Sequence, residues 1–421
     1  MKAKRIAALA VTAGVLAVTA ACSGSGGFGS PSASPAGTAA TGQPSKAPIT
    51  LMFGSSGTAE TNAVQAAAAA FTKQSGIKVN VIVASNLSQQ VAQGFAGNEP
   101  PDVFYLDPLT FQSYAKDGVL DAYPGSLPGA SGFAAPLKAA FTYHGTFTCA
   151  PKDASTLALY VNTQDWKAAG LGAPPASWSQ LQADAKKLTA GGRTGLVIDQ
   201  SHSELDEFLY QNGGTVLNQA GTAVRLDTPQ NVQALTYVKG LLTSGVLKFP
   251  PALGAGWSGE AFGKNKAAMA IVGNWMNGAL QSDYPNVKFK VYPLPAGPSG
   301  TRATISFTNC WGIPSQSKNL AGAVDFVKFL TTPAQEMAFA RAFGVIPSLQ
   351  SAQAQYAKTW PQYATFVQEL AYAHPDIAIA GAAQALSAFD SSLAQLATSD
   401  PAAILKTAQQ DLQAVINSNS K

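Results

Sequence analysis

Histidine and cysteine are scarce in this 421-residue chain, three of each, and charged side chains make up only 12%. His144, His202 and His374 are scattered, with no His-Glu-x-x-His and no Cys-x-x-Cys, so nothing in the sequence supports a metal site. A Gly-x-Ser-x-Gly elbow and a Gly-Lys-Ser/Thr phosphate loop are also missing, which removes the commonest signals for a serine hydrolase and a nucleotide hydrolase, and no cofactor is expected. Formal charge is +4, and Lys2, Lys4 and Arg5 supply three of those positive charges. What remains from Cys22 onward is +1, no electrostatic footprint for nucleic acid. The only long apolar run, Ile6 to Val18, is too short for a comfortable membrane-spanning helix.

What is present is ordinary globular material, 46% hydrophobic and too long for one core, so two domains or lobes are expected. Residues 1–21 have the form of a signal peptide, with a basic start, the apolar run and small residues at Ala20-Ala21. Cys22 follows at once, as in a lipobox, where the cysteine receives a diacylglyceryl group and becomes the new N-terminus. Thr19 stands where an aliphatic residue is favoured, which leaves plain secretion as the alternative. Residues 22–47 are Gly, Ser, Pro, Ala and Thr with almost no large apolar group, a flexible tether reaching about 25 to 30 Å.

From Ile49 onward short strands alternate with amphipathic helices. Ile49 to Phe53 reads as a strand. Thr58 is placed to cap a helix carrying Val64, Ala67, Ala68 and Phe71 and stopping at Gly76. Strands follow at 77–83 and 103–106, the last ending at Asp107-Pro108. This is βαβ order, in which ligands lie beyond the carboxyl ends of the strands, where Ser55, Ser56 and Asp107 stand. Further caps are legible at Ser177, Thr228-Pro229 and Thr332-Pro333, and a buried strand at 267–272 leads into Gly273-Asn274-Trp275.

The run 148–162 changes character halfway. Its second half, Thr156 to Asn162, has almost no polar face and suits a sheet centre. Pro151, Lys152 and Asp153 before it are unsuited to a packed sheet and are expected to reach water. A strand with a polar neck is how a two-lobed chain crosses its cleft, which would put Asp153, Ser155 and Thr156 on the cleft floor. An ordinary loop feeding a core strand is the alternative. Residues 305–314 have the same mixed character and are the candidate return crossing.

Pro-Pro-Asp-Val-Phe-Tyr-Leu-Asp at 100–107, Leu-Ala-Leu-Tyr-Val-Asn at 157–162 and Pro-Ala-Ser-Trp-Ser-Gln-Leu at 175–181 resemble extracellular solute-binding proteins of family 1, the maltose-binding-protein-like group. So do Phe-Gly-Lys-Asn-Lys-Ala-Ala-Met-Ala-Ile-Val-Gly-Asn-Trp at 262–275 and the segment from Trp311-Gly-Ile-Pro to Thr332-Pro333. The resemblance covers nearly everything from Ile49 to about Pro347, in the family's order. It implies an α/β, two-lobed periplasmic-binding-protein-like fold of type II, each lobe a mostly parallel sheet flanked by helices, with a ligand cleft between the lobes. The expected division is 48–151 with 312–366 for lobe 1, and 152–311 with 367–421 for lobe 2.

The function so implied is that of a substrate-binding lipoprotein of an ABC importer. It would be a monomer lipid-anchored to the outer face of the cell membrane, capturing a mono- or oligosaccharide and delivering it to membrane permease subunits. By the same resemblance Asp107 would accept sugar hydroxyls and Trp275 would stack on the ring, unless it is a core tryptophan. Ser56, Glu60, Asp153, Ser155, Asn274, Asn309 and Trp311 are further candidates, for each of which a capping or solvent role is the alternative. Tyr105 and Trp257 either extend a stacking row or simply pack. Asp199, Glu204, Asp206 and Glu207 leave open a surface glycosidase, although acids at a helix entry commonly serve the helix terminus and water. A structural or adhesive lipoprotein is the third reading.

Cys149 and Cys310 each fall in one of the inferred crossing strands, which should run side by side through the hinge. Outside the cytoplasm such a pair is expected to oxidise to a disulfide, the alternative being two separately buried thiols.

Overall fold

The computed structural model describes residues 46–218 and 221–419. The segment read as a signal peptide (1–21), Cys22 and nearly all of the segment read as a tether (22–47) lie outside the described residues. Among the described residues no helix is long and apolar enough to cross a membrane.

The chain begins with β1 (Ile49–Phe53), β2 (Val79–Val83) and β3 (Val103–Leu106), joined by the helices Thr58–Ser75 and Leu87–Ala96. A small hairpin, β4 (Thr142–Tyr143) and β5 (Thr146–Phe147), precedes β6 (Ala150–Pro151) and the ten-residue β7 (Asp153–Asn162). Then come β8 (Thr194–Val197), β9 (Leu247–Lys248), β10 (Ala267–Gly273), β11 (Phe289–Tyr292), β12 (Thr304–Phe307), β13 (Cys310–Gly312), β14 (Ile346–Pro347) and β15 (Ala373–Pro375).

Two sheets organise these strands. The first has the order β2-β1-β3-β13-β6; β1 runs parallel to β2 and β3, while β13 runs antiparallel to β3 and β6. The second has the order β15-β12-β7-β10-β8-β9. Every residue of β7 is buried, and all its partners, β10, β11, β12 and β14, run antiparallel to it. The second sheet, like the first, is therefore mixed, where mostly parallel sheets were expected. Its central strand enters from the other lobe and meets each partner head to tail, and only the β10-β8, β8-β9 and β12-β15 pairs are parallel.

The chain passes between the sheets as the mixed runs imply: β6 belongs to the first and β7 to the second, with Lys152 between them. The return is β12 to β13 through Thr308-Asn309. By strand pairing the return falls at Asn309, slightly before the expected 311/312 boundary, because Cys310 and Trp311 already pair with Leu106 and Tyr105. A third passage follows β14. The helix Gln350–Thr359 buries Ala352 and Tyr356 in the first lobe's core, whereas Phe366, in the helix Ala364–Glu369, packs with Ala154 and Tyr160 of β7. The helix Ala383–Leu393 packs on the helices His202–Gln211 and Pro401–Asn419, and the latter closes the second lobe against the helix Pro229–Thr243.

Local signals mostly hold. Ser177, Thr228 and Thr332 accept from the backbone N–H three residues on, and Gly76 and Gly245 take left-handed φ values of 76° and 75°. Thr58 does not cap: it is the first helical residue, and Glu60 instead reaches back to the Ser56 N–H at 2.8 Å. Cys149 and Cys310 form a disulfide, with Cα atoms 5.7 Å apart, packed among Phe104, Leu106, Phe111 and Phe141.

Candidate functional site

Off the carboxyl ends of β1 and β3, where the two sheets face each other, lies a cavity of about 440 Å³. That is ample for a small ligand. The first lobe contributes Ser56 and Glu60 from the β1 turn, Tyr105, and Phe343 with Val345. The second contributes Trp275 after β10, Ser201, Ser203 and Glu204 from the entry to the helix His202–Gln211, and Asp376 after β15. The crossing strands supply the floor: Lys152, Asp153 and Ser155, with Phe307, Thr308 and Asn309.

The expectation that Lys152 and Asp153 reach bulk water does not hold. Both are 5% exposed, and Glu60 is 4% exposed. The Lys152 ammonium donates to Asp153 and, at 3.4 Å, to Glu60 Oε1. It also stands over the rings of Tyr105 (4.5 Å) and Phe343 (5.2 Å). Glu60 further accepts from Tyr105 O–H at 3.1 Å and from Ser56 N–H and O–H. Burial alone would raise the Glu60 pKa, but Lys152 and these donors outweigh it and hold the carboxyl below its usual value. Burial would likewise lower Lys152, and Asp153 and Glu60 overcome it. A buried charge is tolerated here because its counter-charges arrive from a helix almost a hundred residues earlier and from its own neighbour.

Trp275 is half-buried, and its indole stands edge-on to Phe307, with centroids 5.2 Å apart and an interplanar angle of 89°. Its position requires Gly273, because a Cβ there would meet the indole at 1.9 Å. The same cavity also holds a group of carboxylates. Ser201 O–H donates to Glu204, and Ser203 O–H donates to Asp376 at 2.7 Å. Burial raises Glu204 to about 7. Behind them His202 bonds Asp390 through Nδ1 at 2.7 Å, with Nε2 3.5 Å from Asp376. Burial opposes its protonation, but these carboxylates raise it to about 9.

Ser56, Glu60, Asp153, Ser155, Trp275 and Asn309 thus come together on one cavity. Three other candidates do not line it. Trp311 is 0% exposed and packs against Tyr105 and Phe339 in the first core. Asn274 is equally buried, accepting from Thr156 N–H and donating to the Gly344 carbonyl, so it ties the crossing strand to the loop after the helix Pro333–Phe343. Asp107 caps the helix Pro108–Lys116 by accepting from Thr110 N–H and O–H. It lines an adjoining cavity of about 400 Å³ that shares Ser203, Phe307, Thr308, Asn309 and Asp376 with the first. Trp257 packs beside Gly259 and is not part of the lining, whereas Tyr105 is. The acids at 204–207 are not solvated: Asp206 and Glu207 are buried on the helix. Sequence reasoning missed Phe307 and Asp376. The first lay inside a run already read as a crossing, and the second follows an edge strand with no motif.

Comparison with known proteins fits this architecture. A protein of Brucella abortus (strain 2308) named as a binding protein is 30% identical over 207 residues, 47% of this chain and 49% of that one. The chain spans about half the length of the curated relatives it matches. The fold is shared with an ABC substrate-binding protein of Listeria monocytogenes in complex with cycloalternan (TM-score 0.80, 23% identity, 89% of this chain and 100% of that one). It is shared equally with UgpB of Mycobacterium tuberculosis in complex with glycerophosphocholine (TM-score 0.80, 19% identity, 89% and 99%). The GacH receptor of Streptomyces glaucescens, solved unliganded and with acarbose, is a further match (TM-score 0.77, 22% identity, 88% and 98%). The family model for the bacterial extracellular solute-binding protein matches residues 54–337, the stretch from the end of β1 through β13, and the chain belongs to that family.

Proposed function

We propose that the chain is the substrate-binding lipoprotein of an ABC importer, taking a mono- or oligosaccharide into the cleft and delivering it to membrane permease subunits. The observation that carries this reading is the pairing, in one cavity, of a half-buried indole with hydroxyls and carboxylates. A pyranose needs both: an apolar face to stack and hydroxyls to hydrogen-bond. The solute touches both lobes, so it binds the closed arrangement better and shifts the protein toward it. We read lobe 1 as 48–151 with the segment from Cys310 to the helix Gln350–Thr359, and the remainder as lobe 2. The protein acts as a monomer, held at the outer face of the membrane through lipidated Cys22.

A thermal-shift screen against mono- and oligosaccharides tests this. A rise in melting temperature with the sugar recovered unchanged supports the carrier. Turnover of the sugar would favour a glycosidase using Glu204 and Asp376. No response to any sugar would refute the carbohydrate assignment. Cys22→Ala is expected to release the full chain from the membrane fraction, and continued membrane association of that variant would refute the anchor.

A further inference from the structure

The walls of the cavity are unequal in charge. Four carboxylates, Glu60, Asp153, Glu204 and Asp376, line it, and Lys152 is the one base among its described lining residues. Lys152 is committed to Glu60 and Asp153. His202, behind the second wall, serves Asp390 first and Asp376 at longer range. Glu204 accepts a hydrogen bond from the uncharged Ser201 hydroxyl. The carboxylates that Lys152 does not match therefore sit on the second lobe, in the same cavity as Trp275 and Phe307.

Another part of the same cavity shows what such surroundings accommodate. Lys152 places an ammonium between two carboxylates and over two aromatic rings. Elsewhere the same cavity is lined by a comparable set, Glu204 and Asp376 with the rings of Trp275 and Phe307 at 89° to each other, and the nearby His202, which is not in the lining, bonds Asp390 at 2.7 Å and reaches Asp376 only at 3.5 Å. A separate observation points the same way. Ser155, 6% exposed on the cavity floor, has no hydrogen-bond partner for its hydroxyl among the described residues, so an acceptor is available to a donor in the cavity. Aromatic faces attract cations and leave hydroxyls comparatively indifferent.

We propose that the solute carries a protonated amine, as an amino sugar or an aminocyclitol-containing saccharide does. Its ammonium is held by Glu204 and Asp376 against Trp275 and Phe307, with Ser155 accepting a further hydrogen bond. This rests on the carbohydrate reading and narrows it. Burial lifts Glu204 toward neutrality, and a bound ammonium returns it to the charged form.

The test is a calorimetric panel of matched pairs on the full chain: glucosamine with glucose, galactosamine with galactose, and the β-1,4-linked glucosamine dimer with cellobiose. The tightest binder is expected to be an amine-bearing member, about tenfold or more tighter than its hydroxyl partner. Its affinity should fall as salt rises. Glu204→Gln should cost the amine about tenfold more affinity than it costs the neutral partner. Should that variant fail to fold, Asp376→Asn serves for the same comparison. A neutral sugar binding as tightly as its amine, or an equal loss for both in the variant, overturns the inference while the carbohydrate reading stands. If no member of either kind binds, both fall.

Discussion

Replacing Lys152 with Met removes the one positive charge from a cluster in which Glu60, Lys152 and Asp153 are each at most 5% exposed. At the 3.4 Å separation from Glu60 and an effective dielectric near 20, the attraction is about 5 kcal/mol, and the shorter contact with Asp153 adds to it. Desolvation of the three ions offsets much of that, so the intact cluster is close to neutral for stability. The variant is different, because it leaves two like charges buried with no counter-charge. A loss of about 3 to 5 kcal/mol is expected at pH 8. Without Lys152 both carboxyls have folded pKa values above their unfolded ones, so the folded state binds more protons and the variant gains stability as pH falls. Urea melts at pH 8 and pH 5 should show the deficit shrinking by about half. The triple change Lys152→Met, Asp153→Asn and Glu60→Gln should recover to within about 2 kcal/mol of wild type. A Lys152→Met protein that melts like wild type at pH 8, or whose deficit is the same at both pH values, would refute the reasoning.

Trp275→Ala should weaken sugar binding by about 2 kcal/mol in a folded protein. Gly273→Ala should do nearly the same without touching the solute, since its Cβ displaces the indole; wild-type affinity in both would remove Trp275 from the site. Asp107→Ala should cost about 1 kcal/mol of stability through its lost cap. A tenfold loss of affinity in that variant would make Asp107 a ligand as well. Reducing the Cys149–Cys310 bond, which spans 161 residues, should destabilise by at most about 5 kcal/mol in the chain-entropy account. Two free thiols per unreduced, denatured chain made without Cys22 would refute the pairing. His202, raised to about 9, contributes stability that is full below about pH 6.5 and lost as pH rises through 9, amounting to about 3 kcal/mol at most. Asp206 (about 8) and Glu204 (about 7) lose stability in the same direction, with Asp376 and Asp390 facing the imidazole. His202→Gln should flatten the decline between pH 6.5 and 9, and an unchanged slope would count against a charged imidazole.

The sequence by itself determined the order of strands and helices, because apolar period and capping residues act within one or two turns of the chain. It was enough to place Ser177, Thr228 and Thr332 at helix starts, and to read 148–162 and 305–314 as the two crossings. The disulfide was legible for the same reason: each cysteine falls in a crossing, and two crossings of one hinge must be neighbours. Only the tertiary structure decided which polar groups are buried. Lys152 and Asp153 look like a solvated neck until Glu60 is brought against them by the helix Thr58–Ser75. Trp275 follows Gly273-Asn274 at the end of one apolar strand and Trp311 follows Cys310 in another run, yet one reaches the cleft and the other is sealed between Tyr105 and Phe339. Likewise Asp376 joins Glu204 from more than 170 residues away. Periodicity tells which face a side chain leaves from, whereas what covers that face, and whether a charge there finds its counter-charge, depends on contacts between segments far apart in the chain.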